Sequence, residues 1–314
     1  MASESAATDG LRQAGDSGGA APCPACGSAA ARFCRVGDLN RAVSAERFEY
    51  LRCAACGYIF LRAVPGDLSR YYPADYHTLP ADADDIAPAA RLERYKIDLI
   101  TPLVRGGNLV EVGPGRGNFC YLAREAGFRV SAIEQSGACR DFLQRALGVA
   151  AYATLDDYLA QPGAPMPDVI AMWHVIEHLP DPWEFVARAA ACLRPGGIMV
   201  IATPNPESLQ FRVFGRRWAH LDAPRHVNLI PMRLLHDKLA QAGLQRRVLT
   251  TLDEGSIGWN SFGWAFSCAN FFGWRAAKRV ARLFGRILSR LAAPLEREPG
   301  SGAAYTAIYQ KPAA

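Results

Sequence analysis

From Asn108 onward, short apolar runs alternate with stretches in which apolar residues recur at helical spacing. The runs are Leu109 to Val112, Val130 to Ile133, Val169 to Trp173 and Ile198 to Ala202, and their near-continuous apolarity fits strands buried on both faces. Alternation of such strands with helices predicts a parallel sheet. Val248 to Leu252 and Tyr305 to Tyr309 add two strand candidates at the end, and a helix is expected over 91–104, where Leu92, Tyr95, Ile97, Leu99, Ile100 and Leu103 share a helical period. Between the last two strand candidates lies a long insert, 256–302. Its first part carries Trp259, Phe262, Trp264, Phe266, Phe271, Phe272 and Trp274. In its second part Val280, Leu283, Phe284, Ile287, Leu288 and Leu291 recur at helical spacing, with Arg275, Arg279, Arg282, Arg286 and Arg290 on another face. A basic amphipathic segment beside tryptophans fits a membrane surface over 256–291, and fits equally a helix packed on its own domain or on a second subunit.

The pattern changes before residue 90. Residues 1–21 are rich in Ala, Ser and Gly and lack the apolar side chains that offset ordering entropy, so a disordered tail is expected. Residues 22–62 carry two cysteine pairs, and 63–90, rich in Tyr, Pro and Asp, are expected to form a linker or substrate-facing loop leading into the main domain, 91–314. The pairs are Cys23-Pro-Ala-Cys26-Gly and Cys53-Ala-Ala-Cys56-Gly. A two-residue spacer lets one tight turn present two sulfurs, and four thiolates suit tetrahedral Zn2+, so Cys23, Cys26, Cys53 and Cys56 are the expected ligands of a small zinc ribbon. Such a closed site is structural. A redox role would need only one Cys-x-x-Cys, not a matched second copy. Cys34, Cys120, Cys139, Cys192 and Cys268 lack such pairing and are expected to be plain thiols.

Composition adds limits. Half of the 314 residues are apolar, enough for a sizeable core, and a net charge of +5 with no strong basic cluster before the insert does not indicate nucleic acid. No apolar run reaches about 18 residues, the start is polar, and a cytoplasmic location is expected, with attachment to the inner membrane surface left open.

After Asn108-Leu-Val-Glu-Val112 comes Gly113-Pro-Gly115-Arg-Gly117, where glycines allow the backbone to turn sharply and approach a ligand at a helix N-terminus. About twenty residues on, Ala132-Ile133-Glu134 ends the next strand with a carboxylate placed to hold ribose hydroxyls. The spacing Gly-x-Gly-x-Gly, with Glu111 just before it, resembles the first motif of class I S-adenosylmethionine (SAM)-dependent methyltransferases. By that resemblance Glu111, Gly113, Gly115 and Gly117 surround the amino-acid part of SAM and Glu134 grips the ribose. Asp156 sits where the family often places an adenine contact, and Trp173 is counted among the cofactor-binding positions.

Asp168-Val-Ile-Ala-Met-Trp-His174-Val-Ile-Glu177-His178-Leu-Pro-Asp181-Pro182 and Leu193-Arg-Pro-Gly196-Gly197 through Thr203-Pro-Asn205 are similar to the fourth and fifth strand regions of methyltransferases related to the ubiquinone-biosynthesis O-methyltransferases. The resemblance spans roughly Asn108 to Asn205, and implies a Rossmann-like sheet, mostly parallel with the last strand antiparallel. Some of those relatives bind a divalent cation through Glu, Glu and His, and here His174 replaces the first Glu. His174, Glu177 and His178 also fit the inverted zincin pattern, but that requires a long helix, and Pro180 follows at once. His174 and His178 are therefore read as candidates for acceptor contact or proton transfer, or as groups that brace the turn. Further on, Asp222-Ala-Pro224-Arg225-His226 resembles a segment of zinc-ribbon-bearing relatives. His226 is a candidate base, since an imidazole titrates near working pH. The other reading is an Asp222 to Arg225 salt bridge with His226 a spectator.

The expectation is methyl transfer from SAM to a hydroxyl, or to carbon or nitrogen, of a small-molecule, sugar or lipid-linked acceptor. The alternatives are a ribosomal-RNA methyltransferase with a zinc module and a non-catalytic scaffold on the same fold. The strand-four sequence differs from the Asn-Pro-Pro-Tyr type used on exocyclic base nitrogens.

Overall fold

The computed structural model describes residues 19–72, 78–82 and 85–313, so the expected tail falls almost wholly outside the described residues. The two cysteine pairs sit on tight turns of a small antiparallel sheet, in which β1 (Ala21–Pro22), β2 (Ala29–Gly37), β3 (Arg47–Cys53) and β4 (Ile59–Leu61) pair in sequence order. Of the expected linker, 73–77 and 83–84 lie outside the description, while Tyr71 and Ile86 are buried.

The helix expected over 91–104 is instead two short ones, α1 (Ala87–Arg91) and α2 (Tyr95–Ile100). The break leaves Leu92 exposed and directs Lys96 inward, where its ammonium lies 4.9 Å above the Trp173 ring. A cation over an indole face is an attraction that spacing alone does not reveal.

The main domain then alternates strands and helices: β5 (Gly107–Val112), α3 (Asn118–Glu125), β6 (Phe128–Ile133), α4 (Gly137–Leu147), β7 (Ala150–Tyr152) and α5 (Leu155–Leu159). There follow β8 (Val169–Trp173), α6 (Pro182–Cys192), β9 (Ile198–Pro204) and α7 (Leu209–Phe214). The remaining elements are β10 (Asn228–Leu229), α8 (Met232–Gln241), β11 (Gln245–Thr250), α9 (Glu254–Ala269), α10 (Arg275–Glu296) and β12 (Ala304–Gln310). The seven-stranded sheet has the order β11-β12-β9-β8-β5-β6-β7. Among its pairings, only those of β12 are antiparallel. Strand order reverses at β5, between β6 and β8, and the crevice beyond the carboxyl ends of those strands is where such sheets bind ligands.

β10 leaves the main domain and pairs antiparallel with β4, Asn228 opposite Phe60 and Leu229 opposite Ile59. Leu51 and Tyr58 of the cysteine sheet consequently share one apolar cluster with Ile230 and Leu234 beyond β10 and with Met172 and Ile201 of the main sheet. The insert is a helical pair. α10 packs on α9 through small residues, and a Cβ at Gly285 would stand 2.5 Å from the Trp264 carbonyl oxygen. Trp264 points inward, its Nε1 donating to the buried Glu296 at 3.0 Å.

Candidate active site

The glycine turn caps the crevice. Gly113, Gly115 and Gly117 all have positive φ, +66°, +54° and +79°. A Cβ on Gly113 would meet Val175 at 2.7 Å and one on Gly117 would meet Leu143 at 2.6 Å, so space and dihedral both exclude a side chain there. Buried Glu134, just past β6, ties the turn to the next loop by accepting from the Gly115 amide at 3.1 Å and the Ser136 amide at 2.8 Å. Beneath the turn, Glu111 accepts from the Cys120 thiol at 2.9 Å. Burial pushes its carboxyl up to about 7, against the pull of the Lys96 charge and the Cys120 bond.

Trp173, at the end of β8, packs edge-on against Phe119 at 5.4 Å, and its buried indole N–H has no partner. Asp156 lies apart, in the first turn of α5, mostly exposed and paired with Arg188 of α6.

The histidines gather on the next turn. His174 has φ +57°, uncommon for a residue with a Cβ, and is held there by its amide donating to the Ala202 carbonyl at 2.8 Å. That strained step out of β8, followed by a single 3-10 turn over Ile176–His178, is not the long helix that a zincin needs. Glu177 is fully buried; one oxygen accepts from Thr203 Oγ1 at 3.0 Å, while the other faces His174 Nδ1 at 3.4 Å without a well-formed hydrogen bond. Burial opposes its charge, but the facing His174, with His178 and His226 nearby, holds the carboxyl down at about 2.

His178 and His226 meet edge to face at 4.7 Å. His178 Nδ1 lies 2.9 Å from the Arg225 carbonyl and 3.0 Å from the Tyr72 hydroxyl, and burial together with His226 pushes its imidazole down to about 4. His226 Nδ1 lies 2.7 Å from the His220 carbonyl. A carbonyl oxygen only accepts, so Nδ1 carries the proton in each ring and Nε2 is left with the lone pair. One ligand atom each from Glu177, His178 and His226 lie within 4.8 Å of one another.

Two further groups, to which the sequence motifs assigned no role, join the site. Buried His220 contacts Trp259 of α9 at 5.6 Å, leaves its Nε2 without a partner, and is pushed down to about 3 by burial and by His226 and His174. Trp259 also packs against His174 at 4.9 Å, so the insert's first helix walls the site.

The cysteine sheet stands directly behind His226. The Tyr50 hydroxyl of β3 donates to the His226 carbonyl at 2.7 Å, the Leu61 amide to the Val227 carbonyl at 2.9 Å, and the Val227 amide to the Glu177 carbonyl at 2.8 Å. Arg225 forms the Asp222 salt bridge of the alternative reading, and pairs as well with Asp38, just past β2. The four ribbon sulfurs converge, with separations of 3.5 Å (Cys26 to Cys53), 3.6 Å (Cys26 to Cys56) and 3.7 Å (Cys23 to Cys56). A tetrahedron with metal–sulfur bonds of about 2.3 Å has edges of about 3.8 Å, so the donor set fits zinc without rearrangement.

A methyltransferase-domain family model matches residues 88–248. The chain belongs to this methyltransferase family. The match covers β5 through most of β11 and so includes the glycine turn and all the histidines described above. Curated relatives of the methyltransferase domain include the ubiquinone biosynthesis O-methyltransferase of Caulobacter vibrioides, 36% identical over 106 residues, which are 32% of this chain and 42% of that protein. That of Parvibaculum lavamentivorans is 34% identical over 113 residues, 34% of this chain and 44% of the relative. The chain thus spans less than half the length of these relatives. A solved SAM-dependent methyltransferase from Archaeoglobus fulgidus covers 71% of this chain and 94% of its own, at 18% identity and a TM-score of 0.48. The methyltransferase sheet order described above shows the Rossmann-like class I architecture directly. Among the described residues no helix is long and apolar enough to cross a membrane.

Proposed function

We propose that the protein transfers the methyl group of SAM to a hydroxyl oxygen of a small molecule, with His226 as the base. The observation that carries this reading is the convergence, at the carboxyl ends of β5, β6 and β8, of a ligand-hugging glycine turn, Glu134 and a histidine cluster. The family match and the names of the curated relatives support it.

SAM, when bound, supplies a methyl group on a sulfonium that is already a good leaving group. The residues of the crevice fit it. Gly113, Gly115 and Gly117 give the turn its positive φ, with Gly113 and Gly117 packed on Val175 and Leu143, Glu134 suits the ribose diol, and the buried Trp173 indole N–H is a donor without a partner beside the turn. The protein's task is then to align acceptor and methyl in line and to take the acceptor's proton. His226 Nε2, freed by the Nδ1 bond to the His220 carbonyl, accepts that proton, and Glu177 stabilises the resulting imidazolium. His174 and His178 orient the acceptor, and Trp259 covers it. Asp156, paired with Arg188, would have to exchange that partner to reach adenine. A structural Zn2+ on Cys23, Cys26, Cys53 and Cys56 holds the sheet that backs His226. Sugar and lipid-linked acceptors both present such hydroxyls; a nitrogen acceptor with a free lone pair has less need of the base, whereas a carbon acceptor must still give up a C–H proton.

A second reading rests on the same cluster: Glu177 with one ring nitrogen each of His178 and His226 could bind a divalent cation that lowers the acceptor hydroxyl's pKa instead. The test is labelled-methyl transfer from SAM into fractionated cell extract, with wild type and His226→Ala, before and after dialysis against EDTA. Transfer that survives EDTA and falls with His226→Ala supports the base. Transfer lost to EDTA and restored by Mg2+ or Mn2+, which do not suit a four-thiolate site, supports the second reading; transfer restored by Zn2+ alone traces the loss to the cysteine sheet. No SAM binding overturns both.

A further inference from the structure

α10 presents three faces. The small face, Ala281, Gly285, Ser289 and Ala292, is buried on α9. About 130° around the helix, Val280, Leu283, Phe284, Ile287, Leu291 and Leu295 form a continuous apolar stripe, with Val280 70%, Leu283 61% and Leu291 72% exposed. At 1.5 Å per residue the stripe runs roughly 22 Å. Beside it stands a row of exposed arginines, Arg275, Arg279, Arg286 and Arg290. At the helix entry Phe271, Phe272 and Trp274 are also exposed, Trp274 to 72%. A helix that had evolved only to pack on its own domain would bury its large apolar residues; this one buries its smallest and displays its largest.

Charge decides the occupant. Between 270 and 295 the sequence has no Asp or Glu, while Arg275, Lys278, Arg279, Arg282, Arg286 and Arg290 are all basic. Two copies pairing along the apolar stripe would bring their arginine rows together with no acid to separate them. A bilayer with anionic phosphodiester headgroups matches both stripes at once: acyl chains meet the leucines, headgroups meet the arginines, and aromatic side chains sit at the boundary. A cavity of about 270 Å³ between α9 and α10, lined by Arg286, Arg290, Arg297, Asn260 and Ser289, opens beside the basic row at headgroup scale. Glu296 also lines it; its Oε1 accepts from Trp264 and Gln210, while its buried Oε2 has no partner.

We propose that α10 lies flat on an anionic lipid surface, its apolar stripe inserted and its arginines on the headgroups. α9 is packed on the opposite side of α10 and carries Trp259 at the histidine site, so docking holds that site one helix away from the membrane. The docking itself does not depend on the reaction proposed above.

The experiment is sedimentation of the full-length protein with vesicles of phosphatidylcholine alone or with phosphatidylglycerol at 3:1. The same protein is assayed for SAM binding and for oligomeric state by analytical ultracentrifugation. Expected is binding to the anionic vesicles at least tenfold stronger than to the neutral ones. It should weaken about fivefold for each of Arg279→Glu and Arg286→Glu, and be lost in the double variant Leu283→Glu/Ile287→Glu, whose side chains touch nothing in the core. SAM affinity should be unchanged in all of them. Absence of binding by wild type, binding indifferent to lipid charge, or a wild-type dimer that the double variant splits would each overturn the proposal. Loss of SAM binding in wild type would sink the reaction and leave the docking result standing.

Discussion

Arg225 reaches Asp38 across the junction of the two sheets with two hydrogen bonds, 2.7 and 3.0 Å long, and both side chains are fully withdrawn from solvent. The same guanidinium takes both oxygens of Asp222 at 2.8 Å. Two carboxylates and one guanidinium are therefore buried together, and the cluster sits one residue before His226. Although burial raises both acids, the Arg225 contact holds Asp38 below its ordinary value and Asp222 down at about 2.

Removing the arginine alone leaves two buried carboxylates without a counter-charge. Arg225→Met is expected to lower unfolding free energy by about 3–5 kcal/mol in urea titrations. Because the acids are depressed, the stability they lend is complete above about pH 4 and is lost as pH falls toward 2; the variant should flatten that acid limb. An unchanged urea midpoint would contradict the assigned role.

Glu111 works in the opposite sense. Its carboxyl is raised to about 7, so its contribution is complete below about pH 4.5 and is lost as pH rises through 7. Glu111→Gln keeps an acceptor for the Cys120 thiol without the ionisable group. It should gain up to about 3 kcal/mol over wild type at pH 8 and nothing at pH 4, read from melting curves across pH.

The depressed His178 and His220 act with the acids: both lend stability above about pH 6.5 that is lost as pH falls through about 4 and 3. His220→Leu, which removes a buried ring nitrogen with no partner, is expected to shift Tm by less than a few degrees at pH 7 and to narrow the fall in Tm between pH 6 and 4.

Two substitutions separate cofactor from base. His226→Ala should reduce methyl transfer by about 10²- to 10⁴-fold with SAM affinity within twofold of wild type. Gly113→Ala, which would push a Cβ into Val175 in a left-handed conformation, should weaken SAM binding at least tenfold in calorimetry.

Elemental analysis should find one zinc per chain, and Cys53→Ser should abolish it. Since the cysteine sheet backs the Glu177 turn through Val227, metal loss is expected to change the imidazole NMR resonances of His178 and His226 before the main sheet unfolds. Unchanged resonances in the metal-free protein would separate ribbon from site.

The parallel strands were legible because their apolar runs are nearly unbroken, and the glycine turn because Gly113, Gly115 and Gly117 lie close together in sequence. β7 is too short to give a period, and β10 exists only through its partner β4. Asp38, on the far side of the chain from Arg225, looks like an ordinary surface acid. His220 looks like any polar residue in a loop, since nothing local to it announces Trp259. In the insert, the pattern showed where apolar residues lie but not which face is packed. Trp259 and Trp264 turn inward on α9, while the smallest residues of α10 make its only interior face.

The pairing of β4 with β10 also has a consequence for synthesis. The cysteine sheet leaves the ribosome early, yet its edge strand, the partner of Tyr58, and the counter-charge of Asp38 all belong to the stretch from Arg225 to Leu229. Until that stretch emerges, the module waits with an open edge and an unmatched carboxylate, so its last step of folding belongs to the second half of the chain.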